Sequence, residues 1–177
     1  MTPREKRERL FRTSRPYFRE FELYDGTDYH KDLKILWVAH KNAPFYGLPE
    51  NLNEYQFIEY IKSQNAEIVI VEDNNKQYSD QGPIGVVTIL RNNWKMEPHV
   101  EFFPWATPRN KLRSTVAFFQ WARSSRKIGC VMAYSLLHTK PLFDRACTYG
   151  VLHYIGKISN GDPRGDEYLF SVKGKKR

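Results

Sequence analysis

The apolar positions of this chain change period several times, and each change marks a different element. Residues 18–24 (FREFELY) alternate apolar and polar side chains, which predicts a strand closed by Asp25 and Gly26. Over 28–40, Leu33, Leu36 and Val38 with Trp37 follow helical spacing. After a loop rich in Pro and Gly at 42–52, Asn53 starts a second helix with Phe57, Ile58 and Ile61 on its apolar side. Three compact runs come next, at 67–71 (EIVIV), 84–90 (IGVVTIL) and 96–105. The polar loop at 73–82 and the turn at 92–93 join them, which predicts antiparallel strands.

The stretch from His99 to Ile158 is the most informative. An apolar run, 99–105 (HVEFFPW), is ended by Pro104 and followed by the turn 106–111 (ATPRNK). A helix over 108–123 then brings Leu112, Val116, Phe119 and Trp121 near one face, with Thr107 as its cap and Pro108 at its first position. A strand feeding a helix N-terminus presents amides without partners, which suit a phosphate. Residues 129–134 (GCVMAY) read as a buried strand and 141–148 as a short helix. Gly150 stands where a left-handed cap is needed. The last strands are 151–158 and 168–172, separated by 159–165 (SNGDPRG), which is turn chemistry. The order is strand, two helices, three antiparallel strands, then helix and strand in alternation, so the fold class is mixed α/β. Phe102, Phe103, Trp105, Phe118, Phe119 and Trp121 stand at core-forming spacing. A base-stacking platform is the alternative, and they sit in no RNA-binding signature.

Composition sharpens this picture in two places. With 41% hydrophobic and 15% aromatic residues, the 177-residue chain can fill one core, which excludes wholesale disorder and predicts a single domain at 17–172. The net charge of +8 is unevenly spread. Residues 1–19 carry +5 and residues 173–177 carry +4, leaving −1 for the rest. Residues 1–16 and 173–177 are therefore read as basic extensions. Through 1–19 and 173–177 they suit DNA or an acidic protein surface, with solvated tails as the bland alternative. No apolar run has the length of a membrane span and none follows the Arg-rich N-terminus, so a soluble intracellular protein with no membrane partner is expected. Cys130 and Cys147 have no CxxC spacing, so no metal site is expected and buried free thiols are predicted.

The order of elements, together with HVEFFPWATPRNK and PLFDRACTYGVLHYIGKI, resembles the GNAT superfamily of acyl-CoA-dependent N-acyltransferases, in particular the GNAT-like proteins encoded by tailed bacteriophages. The resemblance covers most of 17–172. It implies a mostly antiparallel central sheet with a splayed parallel pair and flanking helices. It also implies acetyl-CoA as cofactor, an amine as acceptor, and the cytoplasm of an infected bacterial host or the virion as location. The family's pyrophosphate loop maps onto the start of the helix after the fourth strand. Arg109 takes its first position, while Leu112 and Ser114 fall where small residues belong. Arg109, Asn110, Lys111, Arg113 and Ser114 are the implied cofactor-binding residues, with side-chain donors standing in for glycine amides. A capped helix with an exposed basic first turn is the competing reading.

The family's tyrosine acid, four residues before the glycine, falls on Ala146. Tyr149 and Tyr134 are the nearest substitutes, and Thr139 falls near the position where family members often carry asparagine after the fifth strand. Glu101 and His99 share one face of the fourth strand, which borders the acceptor site in this family. A carboxylate among aromatic neighbours has the environment of a general base. The catalytic candidates are thus Glu101, His99 and Tyr149, whereas His138 and His153 read as structural. Two functions remain open: an acetyl-CoA-dependent N-acetyltransferase with a degraded CoA loop, and a catalytically inactive GNAT-fold virion or DNA-associated protein anchored by its basic tails.

Overall fold

A computed structural model describes residues 1–12, 15–20, 29–42, 51–63, 67–72, 83–92, 95–124 and 130–172. The elements are α1 (Pro3–Leu10), β1 (Tyr17–Glu20), α2 (Tyr29–Asn42), α3 (Glu54–Ser63), β2 (Glu67–Glu72), β3 (Gly85–Asn92) and β4 (Lys95–Phe102), followed by α4 (Pro108–Ser124), β5 (Cys130–Leu136), α5 (Lys140–Cys147), β6 (Leu152–Asp162) and β7 (Gly165–Val172). One seven-stranded sheet runs β1-β2-β3-β4-β5-β7-β6. All neighbours are antiparallel except β4 and β5, which α4 connects and which run parallel. The predicted order and the parallel pair are both present. The loops at 43–50 and 73–82 and the tail at 173–177 lie outside the described residues.

Strand alternation sends successive residues of each central strand to opposite helical layers. Ile70, Val86 and Glu101 are directly paired across β2, β3 and β4, and Ile70 and Val86 pack with Leu33, Leu36, Phe57 and Ile61 of α2 and α3. Val69, Val87 and Val100 occupy the other face, where Val116, Phe118 and Phe119 of α4 and Phe143 of α5 fill the larger core. Each fully buried phenylalanine there contributes about 1.5–3 kcal/mol. Glu101 therefore belongs to the face covered by α2 and α3, the side opposite α4.

Local chemistry accounts for the helix starts. Asn53 accepts the Gln56 amide through Oδ1 at 2.9 Å and Gln56 Oε1 accepts the Asn53 amide at 3.0 Å, a reciprocal cap at the entry to α3. Thr107 Oγ1 accepts the Asn110 amide at 3.2 Å at the entry to α4. Gly150 has φ 70°, the left-handed conformation predicted for it.

Several expectations change. Trp121 and Val38 are exposed, because the buried stripes run through Val116, Phe119 and Ala122 in α4 and through Leu33 and Leu36 in α2. Cys130 and Cys147 are free but only half buried. Residues 159–162, read as turn, continue β6. Asn160 at φ 51° and a register shift between Ile158 and Asp162 let the strand keep its turn-forming residues, and the chain reverses at Pro163 and Arg164. The N-terminal segment, read as a basic extension, contains α1. A capping box joins Thr2 to Glu5, and Leu10 and Phe11 pack against the larger core. Among the described residues no helix is long and apolar enough to cross a membrane.

Candidate functional site

The parallel pairing of β4 and β5 is short. Lys95 and Met96 oppose Cys130 and Val131, and there the ladder ends. Beyond it β5 turns to β7, pairing from Met132 to Leu136, while β4 stays with β3 through Phe102. The two strands diverge and open a notch through the sheet, a shape into which an extended chain can add itself alongside a strand. A cavity of about 400 Å³ fills this notch. His99, Glu101 and Tyr134 line it from the strands, Lys111 from α4, and Thr139 and Phe143 from the β5–α5 region. Arg164 and Glu167, from the β6–β7 hairpin, close its rim.

Glu101 is the chemically distinctive group. Its Oε2 atom is buried without a hydrogen-bond partner. Burial pushes its carboxyl from the ordinary 4.5 up to about 7, and the charge of Arg164 pulls against that rise. Near neutral pH the group is thus divided between acid and base. His99, next along the same face, is pushed the other way: burial lowers its pKa and favours neutral imidazole, with Glu97 opposing and Arg164 adding to the shift. On the partner strand, Gly85 leaves room for this segment of β4. A Cβ there would lie 2.7 Å from the Glu101 carbonyl oxygen and 2.9 Å from Phe102 Cδ1.

Arg164 is held by a clamp that the sequence reading passed over. Asp162 is buried, and its Oδ1 accepts the Arg164 amide at 2.7 Å and Nε at 2.8 Å while Oδ2 accepts Nη2 at 3.1 Å. The pairing holds Asp162 below the usual carboxylate range. In the sequence, DPRG carried the signal, an aspartate two residues before an arginine in a hairpin turn. At the other end of the notch, the Lys95 ammonium pairs with Glu97 and also interacts with the Tyr134 side chain. Ser135 Oγ and Thr139 Oγ1, of two residues that line the cavity, stand 3.2 Å apart.

The residues expected to hold the cofactor separate into different directions. Lys111 lines the notch, its ammonium 5.9 Å from the Phe102 ring centre. Asn110 and Ser114 are buried one turn apart, with Asn110 Nδ2 and Ser114 Oγ lacking partners. Arg113 is buried and donates Nε to the Leu10 carbonyl at 3.1 Å, so it anchors α1. Arg109 lines a second cleft beside α1. Glu101 and His99 meet in the notch, but Tyr149 lines the second cleft with Arg109. Ala146, at the family tyrosine's position, is buried. His138 lines the notch rim, and His153 is half buried on β6. Among the described residues no group of three His, Cys, Asp or Glu side chains is placed to hold a metal.

A splayed parallel pair within an otherwise antiparallel sheet, with a helix starting beside the notch, defines the GNAT fold. Solved structures agree with this assignment. A GNAT-family acetyltransferase from Bacillus anthracis superposes with a TM-score of 0.65 at 14% identity, covering 89% of this chain and 94% of its own. A chimera of the spermidine N-acetyltransferase from Vibrio cholerae gives 0.62 at 12%, covering 90% and 95%. A GNAT-family acetyltransferase from Streptococcus pneumoniae gives 0.60 at 14%, covering 88% and 97%. No family model and no curated protein sequence matches the chain.

Proposed function

We propose that the protein is an N-acetyltransferase that moves an acetyl group from acetyl-CoA to a primary amine, with Glu101 as the general base. The observation that carries this reading is a buried carboxylate with an unpartnered oxygen, near pKa 7, at the wall of the notch. The GNAT fold of the solved acetyltransferases supports it.

The notch fits acetyl-CoA in part. The diverging edge of β4 suits an amide-rich pantetheine arm, and Lys111 stands where a phosphate at the start of α4 would be met. The amide cradle is reduced, however, because Pro108 has no N–H and the Thr107 hydroxyl already accepts the Asn110 amide. Phosphate binding at this end therefore rests on side-chain charge more than on backbone.

The thioester supplies an activated acetyl group. Glu101 accepts a proton from the acceptor ammonium, so that a neutral amine attacks the carbonyl carbon, and the proton that nitrogen loses after attack passes to the departing thiolate. A carbon–nitrogen bond forms, the carbon–sulfur bond breaks, and the electron pair leaves on sulfur. Ala146 stands where the family carries tyrosine, so that position supplies no proton to the departing sulfur. Arg164, fixed by Asp162, keeps Glu101 low enough in pKa to be partly ionised at neutral pH.

Glu101→Gln tests this reading. Turnover of a polyamine or small amine panel with acetyl-CoA should fall about 10²- to 10⁴-fold, and the acidic limb of the rate profile near pH 7 should disappear. An unchanged rate, or a limb that persists in the variant, removes Glu101 from the role of base.

A further inference from the structure

The alternation that puts Glu101 on the side opposite α4 continues across the notch. Ala133 and Phe170 are paired between β5 and β7 and are buried in the larger core, so the residues that alternate with them face the other way. Those residues are Tyr134 and Leu136 of β5 and Glu167 of β7, and all three line the cavity. The walls therefore differ on the two sides of the sheet. Towards α4 they are Val100, Phe102, Lys111 and Phe143, whereas Glu101 and Glu167 share the opposite side.

The charges around that opposite side do not cancel. Lys95 pairs with Glu97, and Arg164 pairs with Asp162. Glu101 and Glu167 form no ion pair among the described residues, and Glu101 Oε2 is also buried without a hydrogen-bond partner. The Glu167 carboxyl is pushed above its ordinary pKa, first by burial and then by the charge of Asp162, with Arg164 opposing and Glu97 adding to the rise. Its place is set by the hairpin, because Oε2 lies where a Cβ on Gly161 would approach it to 2.9 Å. Two carboxylates beyond those already paired favour a ligand that brings two positive charges.

We propose that the acceptor is an aliphatic diamine, whose reacting nitrogen meets Glu101 and whose second ammonium is held by Glu167 at the rim of the notch. This role for Glu167 rests on the acetyltransferase reading above and adds a specificity-determining residue to it. In the sheet β5 lies between β4 and β7, so Tyr134 and Leu136 stand between the two acids and offer apolar surface to the methylene chain. The acids take different parts. Glu101 takes a proton from one nitrogen, while Glu167 stays ionised and keeps the other nitrogen charged.

The probes are putrescine and cadaverine, each compared with the monoamine of equal length, n-butylamine or n-pentylamine, as acceptors for the full chain and for Glu167→Gln, Gly161→Ala and Asp166→Asn. Asp166 is next to Glu167 in the chain but pairs with Lys157 and does not line the cavity, so it reports general attraction by the acids of the hairpin. In the wild type, kcat/KM for a diamine should exceed that for its monoamine by about tenfold or more, since the shorter-charged analogue leaves Glu167 unpaired. Glu167→Gln should bring the ratio close to one, mainly through KM for the diamine. Gly161→Ala keeps every carboxylate but displaces that of Glu167, and should lower the ratio in the same direction, which tests the placement even where Glu167→Gln folds poorly. Asp166→Asn should retain the wild-type ratio.

A ratio near one in the wild type overturns the diamine site. So does a preference that survives Glu167→Gln, or one that Asp166→Asn removes equally. Monoamine acetylation that Glu101→Gln suppresses, with no preference for the diamine, removes Glu167 as the anchor and leaves Glu101 as the base. If no amine is acetylated, the acetyltransferase reading fails, and calorimetry with putrescine and n-butylamine still reads the pair of acids. Tighter binding of putrescine that Glu167→Gln abolishes supports the dication site, and equal binding of the two amines overturns it.

Discussion

The notch between β4 and β5 and the cleft under α1 treat charge in opposite ways. In the notch, the Glu101 carboxylate is sunk among strand residues, and the clamped Arg164 pulls against its desolvation. In the cleft beside α1, Lys6, Arg9, Arg109 and Arg145 line one space, and among the described residues no carboxylate lines it with them. Burial makes the first group respond to pH, since desolvation acts on the charged form. Exposure makes the second respond to salt, since screening acts on charges that water reaches. The helix α4 borders both regions, with Lys111 lining the first and Arg109 the second.

The largest expected effect that sharpens this contrast is on stability, again at Glu101. Its folded pKa of about 7 lies above the ordinary 4.5, so the folded protein binds more protons than the unfolded chain between those values. Stability present below pH 4.5 is accordingly lost as pH rises through 7, by up to about 3 kcal/mol. Glu101→Gln removes that loss. At pH 8 the variant should resist urea more than the wild type, while at pH 4.5 the two should unfold together. A variant that is less stable at pH 8 would show that the carboxylate is held by partners and not merely desolvated.

Arg164→Ala should act next most strongly and in the opposite sense. The substitution leaves Asp162 buried with its charge uncompensated, at a cost of about 1–3 kcal/mol. Asp162 is held below its usual range, so the pair's contribution is present above that range and fades as pH falls through the lowered pKa. The same variant removes the charge that restrains Glu101, and the acidic limb of turnover should move above pH 7. A rate profile that does not move would separate Arg164 from Glu101 electrostatically.

The elements most readable from sequence were those whose caps and periodicity agreed. Asn53 and Thr107 lie at the entries to α3 and α4, Gly150 follows α5, and the EIVIV run is β2. Alternation alone put Glu101 and His99 on one face of β4. Other features needed contacts between distant residues. In α1 the high charge concealed a helix whose capping box, Pro3 and the Leu10–Phe11 pair were all present in the sequence. Its position depends on Arg113 and Gly150, more than a hundred residues away. The DPRG segment displayed turn residues, but only the folded hairpin shows that Asp162 is buried and aims Arg164 at the notch. Arg109, Asn110, Lys111, Arg113 and Ser114 read as one phosphate site through the family resemblance and their shared helix start, yet a helix turns successive residues by about 100°, which sends Lys111 and Arg109 to different cavities.

The smallest effect expected is at Gly150, and it bears on whether the two regions are independent. Gly150 has φ 70°, and a Cβ there would come within 3.1 Å of Pro3 Cβ. Gly150→Ala should therefore cost about 1–2 kcal/mol from backbone strain, with a further displacement of the first turn of α1. That displacement moves Lys6 and Arg9 relative to Arg109 and Arg145 but touches none of the residues around Glu101. The pH at which turnover is half-maximal should stay fixed. Gly156→Ala is the matching control, because a Cβ there meets nothing within 4 Å and the strand backbone accepts it. If Gly150→Ala shifts the pH profile, the notch and the cleft act as one site, and the separation of the two along α4 is wrong.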